Sequence, residues 1–192
     1  PVAGYEVHNL YGHLWSKMVY DNWTKDYPGK RLFFLNRAGY AGSSRYSTFP
    51  WTGDVGRNWS GYRAQLPNLQ SSSLSGIPYI HSDAGGFAMT DTADAELYVR
   101  WMQMAAFTPV FRPHGTALGE DMQPKGTISL PGEAVFWDQK TQDIIKPLIM
   151  QRYRLLPYNY TLAWEQTTQG HPLIRPMNYY DTRDANLADA TE

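Results

Sequence analysis

Asp54 ends the stretch Phe49-Pro50-Trp51-Thr52-Gly53-Asp54 and places one carboxylate directly after a glycine and behind two aromatics. Aspartate is poor in strands and common in turns, so a turn role is the simplest reading of this residue alone. Its company points elsewhere. Arg37 follows Leu32-Phe33-Phe34-Leu35-Asn36, Asp83 follows Ile77-Pro78-Tyr79-Ile80-His81-Ser82, and His114 follows Val110-Phe111-Arg112-Pro113. Apolar runs that each end in ionisable groups describe a sheet or barrel with one chemically active rim. Asp54 and Asp83 have the residue types for paired-carboxylate chemistry. One carboxyl would protonate the leaving oxygen of a glycoside, and the other would serve as nucleophile or base. Arg37 suits bidentate hydrogen bonds to sugar hydroxyls or, equally, a structural salt bridge. His114 is either a donor to a substrate hydroxyl or a loop histidine. No second ligand stands at helical spacing from it, so no metal site is expected. His8 and His13 lie on the first helix without a matching cluster and read as structural.

The elements that must position these groups alternate. Residues 8 to 23 carry Tyr11, Leu14, Trp15, Met18, Val19 and Trp23 at three- and four-residue spacing, the pattern of an amphipathic helix. Tyr27-Pro28-Gly29-Lys30 is a stop, and residues 31 to 36 read as a short strand buried on both faces. Residues 45 to 52 read as a second extended run leading to Asp54. The segment 58 to 75 has weak helical character, and Pro67 argues against one unbroken helix. Residues 77 to 81 are a third strand, and Thr90 or Asp91 is the expected cap of a helix through Ala93 to Ala106. Residues 108 to 112 are a fourth strand, followed by a Gly- and Pro-rich loop from Gly115 to Gly132. A helical pattern spans 138 to 169, with Pro147 and Pro157 as starts or kinks. A last extended run covers 171 to 180, and a polar tail follows. Strand and helix in alternation imply parallel strands with crossovers, and polar residues after strand C-termini match the loops that build active sites in (β/α)8 barrels. An open doubly wound sheet is the alternative; no strand here leads into a dinucleotide or phosphate-loop motif.

The 192 residues are 42% hydrophobic, enough for a sizeable core and for one domain rather than two. A net charge of -1 gives no electrostatic argument for nucleic acid or an anionic membrane. The absence of cysteine excludes disulfides, thiol catalysis and thiolate metal sites. Seven Trp and 14 Tyr serve either an aromatic core or exposed stacking platforms for sugars. Asn22-Trp23-Thr24, Asn58-Trp59-Ser60 and Asn159-Tyr160-Thr161 fit the N-glycosylation pattern. They are compatible with an extracytoplasmic or secretory-pathway location without fixing one. No run is long and apolar enough to span a bilayer.

Several motifs in series resemble glycoside hydrolase family 31, the α-glucosidase and α-xylosidase family. They are His8-Asn9-Leu10-Tyr11-Gly12, Phe34-Leu35-Asn36-Arg37-Ala38-Gly39, Trp51-Thr52-Gly53-Asp54, Asp83-Ala84-Gly85-Gly86-Phe87, Phe111-Arg112-Pro113-His114 and Arg152-Tyr153-Arg154-Leu155-Leu156-Pro157-Tyr158. The resemblance covers nearly the whole chain in order. It implies an α/β fold, a partial (β/α)8 TIM barrel holding about strands five to eight with their helices. Residues 1–170 would be the second half of the catalytic domain and 171–192 the start of a link to a C-terminal β-domain.

Residue by residue, the resemblance makes Asp54 the general acid/base and Arg37 an arginine that binds the sugar. It makes His114 a hydrogen-bond partner of sugar hydroxyls, Asp83 and Phe87 lining residues, and Trp51 an aromatic wall. Asp83 thereby moves from second catalytic carboxylate to pocket residue. The family's nucleophile is an aspartate upstream of the His-Asn-x-Tyr-Gly helix, and no such motif stands in this chain: Asp21 and Asp26 lie in the first helix or its exit. The implied function is part of a retaining exo-acting α-glycosidase, α-glucosidase-like, that removes terminal α-linked sugars from oligosaccharides. The chain alone would be inactive, with the upstream half of the barrel as its partner and neither cofactor nor metal. An α-xylosidase or α-transglucosylase of the same family, a non-catalytic sugar-binding half-barrel and a fragment without a function of its own are the competing readings.

Overall fold

The computed structural model describes residues 2–88, 94–116, 132–184 and 187. Its backbone pairs parallel strands in chain order. Strand β1 (Phe34–Leu35) runs parallel to β2 (Thr48–Phe49), with Phe34 opposite Thr48 and Leu35 opposite Phe49. The same course continues from Trp51 to a parallel bridge with His81, and from Ala84 to one with Pro113. Thr52 N donates to His81 O, His81 N to Pro50 O, Ala84 N to Arg112 O and His114 N to Ala84 O. The four expected segments are therefore neighbours in the expected order, but only 34–35 and 48–49 form strands; the expected strands 77–81 and 108–112 reduce, among the described residues, to turns, bends and single bridges at His81 and Pro113. The run 31–36 was expected to be buried on both faces. Instead Phe33 is exposed and Phe34 and Leu35 are half-buried, because among the described residues β1 has a strand on one side only.

Helices α1 (Gly4–Val7) and α2 (Tyr11–Asp26) flank a 3-10 turn at His8–Leu10. The expected apolar stripe of α2 does not face the core. Tyr11, Leu14, Trp15 and Met18 are exposed, and the buried residues are Gly12 and Ser16. These small residues admit the loop after β1. Asn36 Nδ2 donates to Ser16 Oγ at 2.8 Å, and a side chain on Gly12 would collide with Ala38. His13 meets Ser43 at 3.0 Å, a packing role.

The run 45–52 is not extended throughout. A 3-10 turn, Ser43–Tyr46, precedes β2, with Ser47 left-handed at φ 57°. Helix α3 (Trp59–Leu74) overturns the expectation drawn from Pro67, since it passes through that proline unbroken. A proline forfeits one backbone hydrogen bond. Here the Asn58 side chain caps the first turn through Gly61 N, and Leu69, Gln65 and Ser73 are buried along one side. Helix α4 (Ala95–Ala105) is capped by Asp94, whose carboxylate accepts from Leu97 N; Thr90 and Asp91 lie outside the described residues. Its buried positions, Leu97, Tyr98, Trp101, Met102 and Ala105, form a continuous helical face. With Ala84 and with Ile145 of α5 (Gln139–Arg154) they make the hydrophobic core. Pro147 sits inside α5, and Pro157 in the first turn of α6 (Leu156–Gln169), as a start.

The extended run expected over 171–180 does not hold throughout. Residues there bend and then form a 3-10 turn, Met177–Tyr179. Of the loop Gly115–Gly132, residues 117–131 lie outside the described residues. Asn159 has its amide nitrogen buried, so as folded it is not open to glycosylation. No helix among the described residues is long and apolar enough to cross a membrane.

Candidate active site

A strand side-chain repeat of two puts alternate residues on one face. Three neighbouring segments supply Trp51 and Gly53, His81 and Asp83, Arg112 and His114 at that spacing. Beside them, the turn after β1 supplies Arg37. Gly53 has φ +89°, and a side chain on it would stand 3.0 Å from Arg37 Nη2. Glycine at this position therefore lets the chain turn while the guanidinium closes on it. Asp54 follows, and its Oδ1 lies 3.3 Å from Arg37 Nη1. Both side chains are about half exposed, 58% for Arg37 and 48% for Asp54, so the pair stabilises the fold by at most about 1 kcal/mol.

Asp83 is the opposite case. It is fully buried and its Oδ1 is ion-paired with Arg112 Nη2. The same guanidinium donates from Nε to His81 Nε2 at 3.1 Å and stacks 5.3 Å from the centre of the Trp51 ring. Burial pushes the Asp83 carboxyl above the usual carboxylate range; Arg112 and His114 pull it back, and Asp54 adds to the rise. Burial, together with the Arg112 guanidinium beside it, holds His81 down at about 4. A neutral imidazole that accepts at Nε2 carries its proton on Nδ1. Three buried polar atoms here have no hydrogen-bond partner among the described residues: His81 Nδ1, Asp83 Oδ2 and Trp51 Nε1.

His114 stacks obliquely on Phe87, ring centres 5.3 Å apart. Phe87 N and Ala88 N both donate to Val55 O, and Thr116 N donates to Phe87 O. The loops after Asp54, Asp83 and His114 are thus bonded to one another. The structure brings Arg37 against Asp54, Asp83 under Trp51 through Arg112, and Phe87 against His114, all at one end of the parallel strands. Among the described residues no group of three or more His, Asp or Glu side chains could hold a metal ion. What the arrangement offers is one accessible carboxylate, a buried carboxylate with a free oxygen, a guanidinium, an imidazole and two aromatic rings. That set suits the recognition of a polyhydroxylated ring and a proton transfer beside it.

Sequence reasoning passed over Arg57, His81 and Arg112 as site residues. The signal for two of them was present. Each lies two residues before a predicted site residue in the same extended segment, at the spacing that shares a face: His81 before Asp83 and Arg112 before His114.

The family profile described as "Glycosyl hydrolases family 31 TIM-barrel domain" matches residues 1–162. The chain is 36% identical over 192 residues to an α-xylosidase of Saccharolobus solfataricus, covering 98% of this chain and 24% of that protein. It is 38% identical over 186 residues to α-glucosidase 2 of Bacillus thermoamyloliquefaciens, covering 97% and 22%. Among solved structures, a Flavobacterium johnsoniae GH31 dextranase complexed with glucose superposes with a TM-score of 0.85 at 32% identity, over 98% of this chain and 23% of that one. A GH31 α-xylosidase from a soil metagenome complexed with xylose gives 0.81 at 26% identity, over 93% and 28%. The chain thus spans about a quarter of the length of these relatives.

Proposed function

The chain belongs to glycoside hydrolase family 31, and from that premise we propose that it forms the acid/base-bearing part of a retaining, exo-acting α-glycosidase. Asp54 protonates the glycosidic oxygen as the bond breaks. It then takes a proton from the water that releases the sugar from the nucleophile. Arg37 and His114 hydrogen-bond sugar hydroxyls, Asp83 offers its free oxygen to the same ring, and Trp51 and Phe87 flank it. The nucleophile is a carboxylate outside this chain, on the polypeptide that completes the barrel. Residues 1–170 are the second half of that barrel and 171–192 lead out of it. The exposed faces of α2 and β1 are where the first half would pack.

The observation that carries this reading is the contact of Arg37 with Asp54 at the strand ends, beside the loops that hold Asp83, Phe87 and His114. The α-xylosidase relative of Saccharolobus favours a second reading on the same scaffold, with xylose in place of glucose. The test is to assay the purified chain, and the longer polypeptide that carries it, on aryl α-glucosides and aryl α-xylosides. Activity in the longer polypeptide, lost with Asp54→Ala and absent from the chain alone, is the expected result. Turnover by the chain alone that Asp54→Ala abolishes would overturn the placement of the nucleophile. A longer polypeptide inactive on every α-glycoside would overturn the reading itself.

A further inference from the structure

We propose that Arg57 is a positioning residue that clamps the three loops bearing Asp54, Phe87 and His114 into one rim; this rests on the glycosidase reading above. Arg57 stands three residues after Asp54 and is 6% exposed. Its Nε donates to Gly86 O at 2.7 Å, next to Phe87, and its Nη2 to Thr116 O at 3.4 Å, two residues beyond His114. One guanidinium therefore joins the acid/base loop to both of the loops that would line the sugar.

The backbone is shaped around it. Gly86 has φ +83°, and a side chain there would lie 2.7 Å from Arg57 Cγ. A side chain on Gly115 would overlap the guanidinium itself. Thr116 completes the link, its Oγ1 donating to Phe87 O at 2.5 Å. Burial pulls the Arg57 guanidinium below its ordinary range, with Tyr98 and Glu133 acting the other way. A cation is costly in such a place. Its planar fork reaches two carbonyls at fixed geometry, which a lysine head cannot do.

The catalytic consequence follows from alignment. A proton donor misplaced by about 1 Å loses on the order of 100-fold in rate. Loosening the clamp should therefore act through Asp54 and show most where proton donation matters most. The experiment compares Arg57→Gln and Arg57→Lys with wild type in the longer polypeptide that carries this chain. Expected is a kcat loss of about 10- to 100-fold on glycosides with poor leaving groups, a smaller loss on activated aryl glycosides, and partial rescue by lysine. A merely structural arginine would lower the folded fraction and scale both substrate classes equally, and that result overturns the proposal.

Amide hydrogen exchange provides an arm that does not depend on activity. The amides of Phe87, Ala88 and Thr116 should exchange slowly in wild type and faster in the variants. Unchanged exchange, or fast exchange in wild type, overturns the clamp even where neither variant folds well enough for kinetics. A wild type without glycosidase activity would sink the functional reading and leave the exchange arm to decide the clamp.

Discussion

His81 should make this fold acid-sensitive in a window of its own. The imidazole is fully buried, and burial plus the neighbouring Arg112 guanidinium bring it from 6.5 to about 4. In the unfolded chain it returns to its ordinary value. Between pH 6.5 and about 4 the unfolded state therefore binds the proton that the folded state refuses, and stability falls as pH falls. Above that window His81 is neutral in both states and contributes no pH dependence. Below it, the full separation is lost, about 3 kcal/mol. Asp83 tips the other way, because its raised carboxyl favours the folded form on acidification, so the wild-type curve alone is a sum. His81→Gln isolates the histidine: the amide does not titrate, its oxygen can accept from Arg112 Nε, and Asp83 is common to both proteins. In urea unfolding, the difference between wild type and variant should move by about 3 kcal/mol from neutral pH to about pH 4, with wild type losing more. That is a relative midpoint shift of about 1 to 2 M. Parallel pH dependences in the two proteins would refute the reasoning, and so would a histidine resonance for position 81 that titrates near 6.5.

Arg112→Met should cost about 3 to 5 kcal/mol in unfolding experiments, because it leaves the fully buried Asp83 carboxylate without its cation; adding Asp83→Asn should recover part of the loss. A single variant as stable as wild type would disprove the pairing. Asp54→Asn in the active polypeptide should lower kcat about 100- to 10,000-fold on substrates with poor leaving groups, and far less for the glycosylation step of activated aryl glycosides. Equal, small losses on both would remove the acid role. Gly85→Ala should destabilise by more than about 1 kcal/mol, since φ is +95° and the added carbon would stand 2.5 Å from the Tyr98 ring; a neutral melting temperature would show that the loop yields.

The order of the parallel segments was legible in the sequence as apolar runs in chain order, although only the first two of them form strands. Their regular length was not, because a ladder needs a partner at each position. Residues 31–33 have the composition of a strand, but among the described residues β1 has a neighbour on one side only. The same reason turned α2 inside out. Its spacing showed a helix, but spacing cannot say which of two faces meets this part of the fold, and Gly12 and Ser16 won because Ala38 and Asn36 approach too closely for anything larger. Pro67 misled for another reason. The rule against proline in helices weighs one lost bond, while α3 is held by its Asn58 cap and by buried Leu69 and Gln65. At the site, motif positions pointed to Arg37, Asp54, Asp83, Phe87 and His114. Of the side chains that tie them together, Arg112 could have been found by its place two residues before His114, but Arg57 was illegible, since nothing in a linear pattern says which arginine will be buried.

On the proposed reading, the two carboxylates at the rim divide along the line their chemistry requires. A group that gives up a proton and later takes one back must be reached by leaving group and water, and must not be held by a tight partner. Asp54, half exposed and facing an equally exposed Arg37 at 3.3 Å, meets both conditions. Its position therefore has to come from the backbone, and Gly53 and the hydrogen bonds around Val55 supply it. A group that only holds a hydroxyl gains by being fixed and desolvated, where each hydrogen bond is stronger. Asp83 is locked by Arg112 through one oxygen and keeps the other free. Exchanging the two environments would give an acid that cannot exchange protons and a sugar contact that water competes for. On the proposed reading Asp83 is a sugar contact and the nucleophile lies outside this chain, although Asp83 is a second carboxylate on the same rim.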